Sequence, residues 1–221
     1  MKKLLLILSF LFPWFIRRRL LVNLMGYELH PTSRIGLSWV FPRKLIMEEH
    51  SSIGALTVCK SLSLLHLKSY ATIGRGNWIT GFPSGPGKHF AHQPLRNPQL
   101  ILSEHAAITH RHLIDCTHSV EIGRFTTLAG FNTQILSHSI DLENCRQSSA
   151  PISIGEYCFI GTNSVLLGGS TLPGHSVLGA KSLLNKCYTD EYNMYGGVPA
   201  RPLKRLNRDL LYFTRTCGFV D

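Results

Sequence analysis

Eleven histidines are spread unevenly through 221 residues. His105, His110, His112 and His118 crowd one stretch. His138 stands apart, in the run His138-Ser139-Ile140-Asp141, with Glu143 and Arg146 close behind. A histidine ring has an unperturbed pKa of about 6.5, so near neutral pH it can act as a general base or as a metal ligand. A positioned base contributes roughly 10²- to 10⁴-fold to a reaction. Asp115, Asp141 and Glu143 are candidates to orient the ring of His138 or to hydrogen-bond a substrate, although a backbone carbonyl could do the orienting instead. Arg146 either meets a substrate or anchors its own loop through an ion pair. Twenty-three Lys and Arg against 13 Asp and Glu give a formal charge of +10. Such an excess favours an acidic partner: nucleic acid, an anionic membrane or a phosphate-rich ligand. No nucleic-acid recognition fold or aromatic-basic surface is legible, so nucleic acid is set aside. The six cysteines form no CxxC pair and no framework spacing. They read as reduced thiols of a cytosolic protein, not as disulfides or a zinc knuckle.

The elements that must hold these groups follow a beat of six. Ile154, Ile160, Leu166, Leu172, Leu178 and Leu184 are spaced by six, and Cys158, Ser164, Ser170, Ser176 and Ser182 keep the same step. Gly or Pro follows the aliphatic at Gly155, Gly161, Pro173 and Gly179. A six-residue period fits neither an amphipathic helix nor a single half-buried strand. It fits a solenoid of short strands and corners, with the aliphatic inward and the small residue beside a corner. Upstream, Leu29, Ile35, Phe41, Met47 and Ile53 keep the beat. So do Leu67, Ile73 and Ile79, then Leu102, Ile108 and Ile114, then Ile122 and Leu128. The beat slips by two residues between 53 and 67, between 114 and 122, and between 128 and 154. Between Ile79 and Leu102 a Gly/Pro-rich excursion projects from the coil. The acceptor side of a cleft is expected at the slips around 115–120 and 134–153 and at the loop 82–100. His138 sits where the phase breaks, free to leave the wall.

This gives three regions. Residues 1–27 form an apolar, Arg-flanked N-terminal helix. Residues 28–188 form the β-solenoid, with loop excursions at 82–100 and 134–153. Residues 189–221 form a basic tail with a short helix from about Leu203 to Phe213. The apolar run Leu4–Ile16 is shorter than the roughly 20 residues needed to span a bilayer. It lacks a small-x-small cleavage site and is flanked by charge, which argues against a signal peptide. Two readings stand for it: a helix in the membrane interface with Arg17, Arg18 and Arg19 at lipid phosphates, or a cap on the end of the solenoid.

Residues 151–204 resemble the hexapeptide-repeat acyltransferases. The carriers are PISIGEYCFIGTNSVLLGGSTLPGHSVLGAKSLLNK, the closing GGVPARPLK, and the loop bearing His138, Asp141 and Arg146, which is similar to the histidine loop of maltose and galactoside O-acetyltransferases. The segment ITHRHLIDCTHSVEIGRF is similar to enzymes that modify polysaccharide sugars. The resemblance implies an all-β fold, a left-handed parallel β-helix, and a homotrimer with the active site between subunits. It implies acetyl-CoA as acyl donor, a sugar hydroxyl as acceptor, no metal, and His138 as general base. Asp115, Asp141 and Arg146 are then substrate-binding candidates. Thr162 and Ala180 fall where backbone groups meet the coenzyme A arm, and Lys186, Arg201 and Lys204 where basic groups meet its phosphates. The chain departs from the family at Phe159, where Trp is frequent, at Lys181 in the Gly179–Ser182 step, and at Cys187 after Lys186. A cytoplasmic location, at the inner face of the membrane if the N-terminus binds lipid, follows.

Two other classes compete. A γ-class carbonic-anhydrase-like zinc enzyme would use His105 and His110, five apart, with His66 as the upstream third ligand. That reading leaves the closing motif unused. A non-catalytic β-helix scaffold docking on membranes accounts for the basic N-terminus and leaves His138 idle.

Overall fold

The structure, a computed structural model, describes residues 9–85, 89–218 and 220, with the backbone alone at Leu11. Three walls of short strands wind around one core. The first has seven strands, the second nine and the third seven, and the wall strands from Glu28 to Leu184 pair in parallel with their neighbours in adjacent coils. The coil is a left-handed parallel β-helix. Its register explains the beat of six. Leu29, Met47, Leu67, Leu102, Ile122, Ile154 and Leu172 lie over one another in the first wall. The second and third walls stack Ile35 to Leu178 and Val40 to Leu184 in the same way. All of these side chains are buried. Fully burying such a side chain is worth about 1.5–3 kcal/mol.

Two details differ from the hexad reading. Val40, not Phe41, points inward in the third wall. Cys59 and Ile135 are also inward third-wall residues. Cys59 is small and polar enough to hide in a count of aliphatics, and the step from Leu128 to Ile135 is seven, not six. The strands Gln134–Leu136, Ile152–Ile154 and Gln99–Leu102 therefore belong to the walls, and the excursions are shorter than expected. The two-residue slips have one cause. They fall at the corner from the third wall to the first, where coils two to five carry a longer bend, except for the one extra residue between Leu128 and Ile135. Both excursions leave from that corner.

Glycine after the inward aliphatic serves close stacking, not backbone bending. Gly155 has no positive φ, but a Cβ there would lie 2.4 Å from the Gly174 nitrogen in the next coil. The corner from the first wall to the second does adopt the left-handed region, and it does so with rings. His50, Tyr70, His105, Phe125, Tyr157, His175 and Tyr192 have φ of 51–61°. Their rings stack consecutively at centroid distances of 4.7–5.2 Å. A left-handed non-glycine costs about 1–2 kcal/mol, and stacked pairs return about 0.5–1.5 kcal/mol each.

Both ends are closed. Helix α1, Trp14–Met25, lies on the first coil. Arg17 is buried, and it donates to Gly36 O at 2.8 Å and Ser38 O at 2.7 Å; Arg18 donates to Leu29 O at 2.5 Å. Two of the three arginines thus cap backbone carbonyls of the first coil at the solenoid end, while Arg19 is exposed. Residues 1–8, including Lys2 and Lys3, lie outside the described residues. No described helix is long and apolar enough to cross a membrane. At the other end, Asn193–Gly197 adds one more parallel strand to the second wall, and Ala200–Arg205 returns antiparallel to it. The expected helix at 203–213 is instead this strand followed by one turn, α2, Leu211–Thr214. Pairing with Asn193–Gly197 satisfies that strand's inner backbone groups. Arg215 lies over the Tyr212 ring at 3.8 Å and donates to Phe125 O, which ties the tail to the ring stack.

Candidate active site

The slips at 115–119, the excursion from Phe82 and the excursion from His138 come together on the third-to-first corner. The second excursion is an antiparallel hairpin of His138–Asp141 and Arg146–Ser149. Its root is pinned by Asp115. Asp115 Oδ2 accepts from His138 N at 2.9 Å and from Ser137 Oγ at 3.2 Å, and Oδ1 accepts from Thr117 N at 3.1 Å and Thr117 Oγ1 at 2.6 Å. This carboxylate holds the backbone under the histidine and is occupied by protein donors.

The first excursion packs against the same hairpin. Gln93 Nε2 donates to Ser149 O at 2.9 Å, and Ser149 Oγ donates to Gln93 Oε1 at 2.8 Å. Arg96, 6% exposed, is the anchor. It donates to Phe82 O at 2.7 Å, Thr117 O at 2.5 Å and Pro83 O at 3.1 Å, and its guanidinium lies 4.2 Å from the Phe90 centroid. Burial lowers its pKa and the Asp115 charge opposes that. Phe90 in turn meets the His138 ring edge-on at 5.7 Å. Between excursion and hairpin lies a cleft of about 350 Å³, with His89, Phe90 and His92 on one side and Ile140, Cys145, Arg146 and Gln147 on the other. His138 is exposed at this corner, and its Nε2 pairs with Gln147 Oε1.

Of the other substrate candidates, Arg146 also lines this cleft. Asp141, which does not line it, pairs directly with Arg146 in the hairpin register, one step out of phase with His138 and Gln147. Arg146 Nε donates to Asp141 Oδ2 at 3.0 Å. Side-chain and backbone bonds from Asn144, ahead of Arg146, hold the Asp141 carboxyl below its ordinary range. Glu143 lies in the exposed hairpin turn.

The cofactor candidates divide between two corners. Thr162 and Ala180 are successive rungs of the corner from the second wall to the third: Lys181 N donates to Thr162 O at 2.9 Å, and Thr162 Oγ1 bonds both backbone groups of Phe131. Arg201 lies opposite Gly196, near the end of that corner, where Gly197 N donates to Ser182 Oγ; Lys204 lies farther along the same returning strand, opposite Met194. Lys186 stands on the other corner, above His138: Cys187 donates to Gly169 O at 2.9 Å, and Gly168 sits against Ser137. Within one chain, then, His138 and the Thr162–Ala180 rungs occupy opposite edges of the third wall.

The zinc reading finds its histidines scattered. His66 Nε2 pairs with Glu48 at 2.8 Å, His105 is inside the ring stack, and His110 Nδ1 accepts from Arg75 N at 3.0 Å. Among the described residues, no three His, Cys, Asp or Glu converge to hold a metal. Phe90, Gln93, Arg96 and Gln147 are the site residues that sequence did not signal. They lie in irregular segments with no period to place them.

No protein-family model matches the chain. The chain is 27% identical to the galactoside O-acetyltransferase of Escherichia coli (strain K12) over 177 residues, covering 77% of this chain and 81% of that one. Among solved structures it is similar to the polysialic acid O-acetyltransferase OatWY, at TM-score 0.62 and 16% identity, covering 81% of this chain and 84% of the other. It is also similar to AntD, an N-acyltransferase from Bacillus cereus in complex with dTDP and coenzyme A, at TM-score 0.52 and 13% identity, covering 82% and 88%. At these identities the structural likeness shows the fold.

Proposed function

We propose that this chain, which resembles the hexapeptide-repeat acyltransferases in sequence and fold, is an acyl-CoA-dependent O-acyltransferase. It transfers an acetyl group from acetyl-CoA to a sugar hydroxyl of a glycan or glycan precursor. The observation that carries this reading is His138, exposed beside the cleft residues Phe90 and Gln147 on a hairpin whose root Asp115 fixes. His138 takes the proton of the acceptor hydroxyl as its oxygen attacks the thioester carbonyl. The carbonyl carbon–sulfur bond breaks, the imidazolium returns the proton to the sulfur, and coenzyme A leaves as the thiol. Backbone groups at Thr162 and Ala180 meet the pantetheine arm, and Arg201, Lys204 and Lys186 meet the phosphates.

The separation of His138 from Thr162 and Ala180 supports a homotrimer in which neighbouring subunits complete each site. The outward column of the third wall supports it too. Trp39, Val58, Trp78 and Leu113 lie in register, and Trp78 is 48% exposed. Phe12, just before α1, and Phe15 and Arg19 on the helix are exposed. They support peripheral contact with an anionic membrane on the side where acetyl-CoA is available, the cytoplasmic one.

The test is release of coenzyme A thiol from acetyl-CoA against a panel of sugars and glycan fragments. His138→Ala should lose about 10²- to 10⁴-fold in transfer; full activity of that variant with a confirmed acceptor would overturn the assignment. For the membrane contact, flotation with phosphatidylglycerol vesicles should fall for Phe15→Ser with Arg19→Glu, and equal flotation would remove it.

A further inference from the structure

The general-base reading leaves open what orients the imidazole. The carboxylates that suggest themselves are engaged elsewhere. Asp115 binds the backbone N–H of His138 and not its ring. Asp141 is bound to Asn144 and Arg146. Among the described residues, the side chain hydrogen-bonded to the imidazole is Gln147, through Oε1 to Nε2. The hairpin register puts it there: Gln147 pairs with Ile140 and Ser149 with His138, so Gln147 is the diagonal neighbour of His138 on the same face. Ser149 is buried and bonded to Gln93, so the strand that carries Gln147 is itself held. Phe90, clamped over Arg96, closes on the ring edge.

We propose that Gln147 is a positioning residue that fixes His138 as the Nε2–H tautomer, so that Nδ1 is the nitrogen that receives the acceptor's proton. The amide oxygen is an acceptor, and a neutral imidazole that donates from Nε2 keeps its lone pair on Nδ1. A neutral amide orients the ring without stabilising imidazolium as a carboxylate would. The inference rests on the general-base reading, but the tautomer is measurable without turnover.

The experiment is ¹⁵N NMR of the His138 ring in the intact protein, with steady-state kinetics on the same samples. In the unsubstituted protein the Nε2–H form should dominate above the imidazole's titration. Gln147→Leu should remove that bias and lower kcat roughly 10- to 100-fold, with KM for acetyl-CoA unmoved. Gln147→Glu should restore the bias and move the acid limb of the pH–rate profile upward by about one unit, because an adjacent negative charge favours imidazolium. A dominant Nδ1–H form, or a Gln147→Leu protein with unaltered tautomer and kcat, overturns the proposal. If the tautomer responds as expected and His138→Ala retains full transfer, the general-base reading fails and the positioning geometry stands.

Discussion

Asp115 Oδ2 accepts the backbone N–H of His138 at 2.9 Å, across 23 residues of sequence. The bond ties the end of a wall strand to the first residue of the hairpin. The candidate base therefore springs from a rigid edge although it belongs to an excursion. The same carboxylate accepts from Thr117 and Ser137, so the corner is built around one half-buried carboxylate.

Asp115→Asn keeps the shape but replaces an acceptor with a donor that faces donors. It should cost roughly 1–3 kcal/mol of stability and lower kcat while leaving KM for acetyl-CoA alone. Urea denaturation and steady-state kinetics check both effects, and faster hydrogen exchange at the His138 amide would localise the change. Stability and exchange equal to the parent would show that the bond does not hold the root.

His112 is 1% exposed and stands over Asn77 in the small-residue column. Its Nδ1 accepts from Thr133 N at 3.1 Å, and burial, with His110 adding to it, lowers its pKa to about 4. The unfolded chain takes up a proton near pH 6.5 and the folded one does not. Stability from this group is complete above about pH 6.5 and is lost as pH falls towards 4. The loss by pH 5 is on the order of 2 kcal/mol. His118, lowered by burial and then by Arg96, acts in the same direction. His112→Asn should flatten the fall between pH 7 and pH 5 in denaturation titrations; an unchanged slope would count against it.

Tyr157 stacks between Phe125 at 4.7 Å and His175 at 5.2 Å with φ 52°. Tyr157→Ala loses both stacks and keeps the left-handed backbone, so it should destabilise by roughly 2–4 kcal/mol. Tyr157→Gly loses the same rings but relieves the backbone. It should be the more stable of the two by about 1 kcal/mol, as measured by chemical denaturation. The reverse order would mean that the corner carries no conformational cost.

Trp78→Glu places a charge in the middle of the apolar column on the third wall. If neighbouring subunits meet there, light scattering should show monomers with native circular dichroism, and thiol release should be lost. A variant that keeps the parent's mass would move the interface elsewhere.

The coil was legible in the chain because stacking makes the same demand every six residues. Each inward position must be apolar, nearly always aliphatic, and each glycine such as Gly155 must let the next coil pass. Where the step was seven, at Ile135, or the residue was a cysteine, at Cys59, the period hid a wall position. The departures of the excursions were legible as breaks in that period, and His138 stood out because it fell in one. The choice of its partners was not legible. Gln147 and Asp115 meet His138 from opposite directions along the chain, Phe90 and Arg96 arrive from the other excursion, and no periodic demand links them. Sequence alone determined the solenoid, because a repeated local environment selects the same residue types at each turn. The tertiary structure decided the site, because only the stacking of one longer corner in successive coils brings two irregular loops side by side.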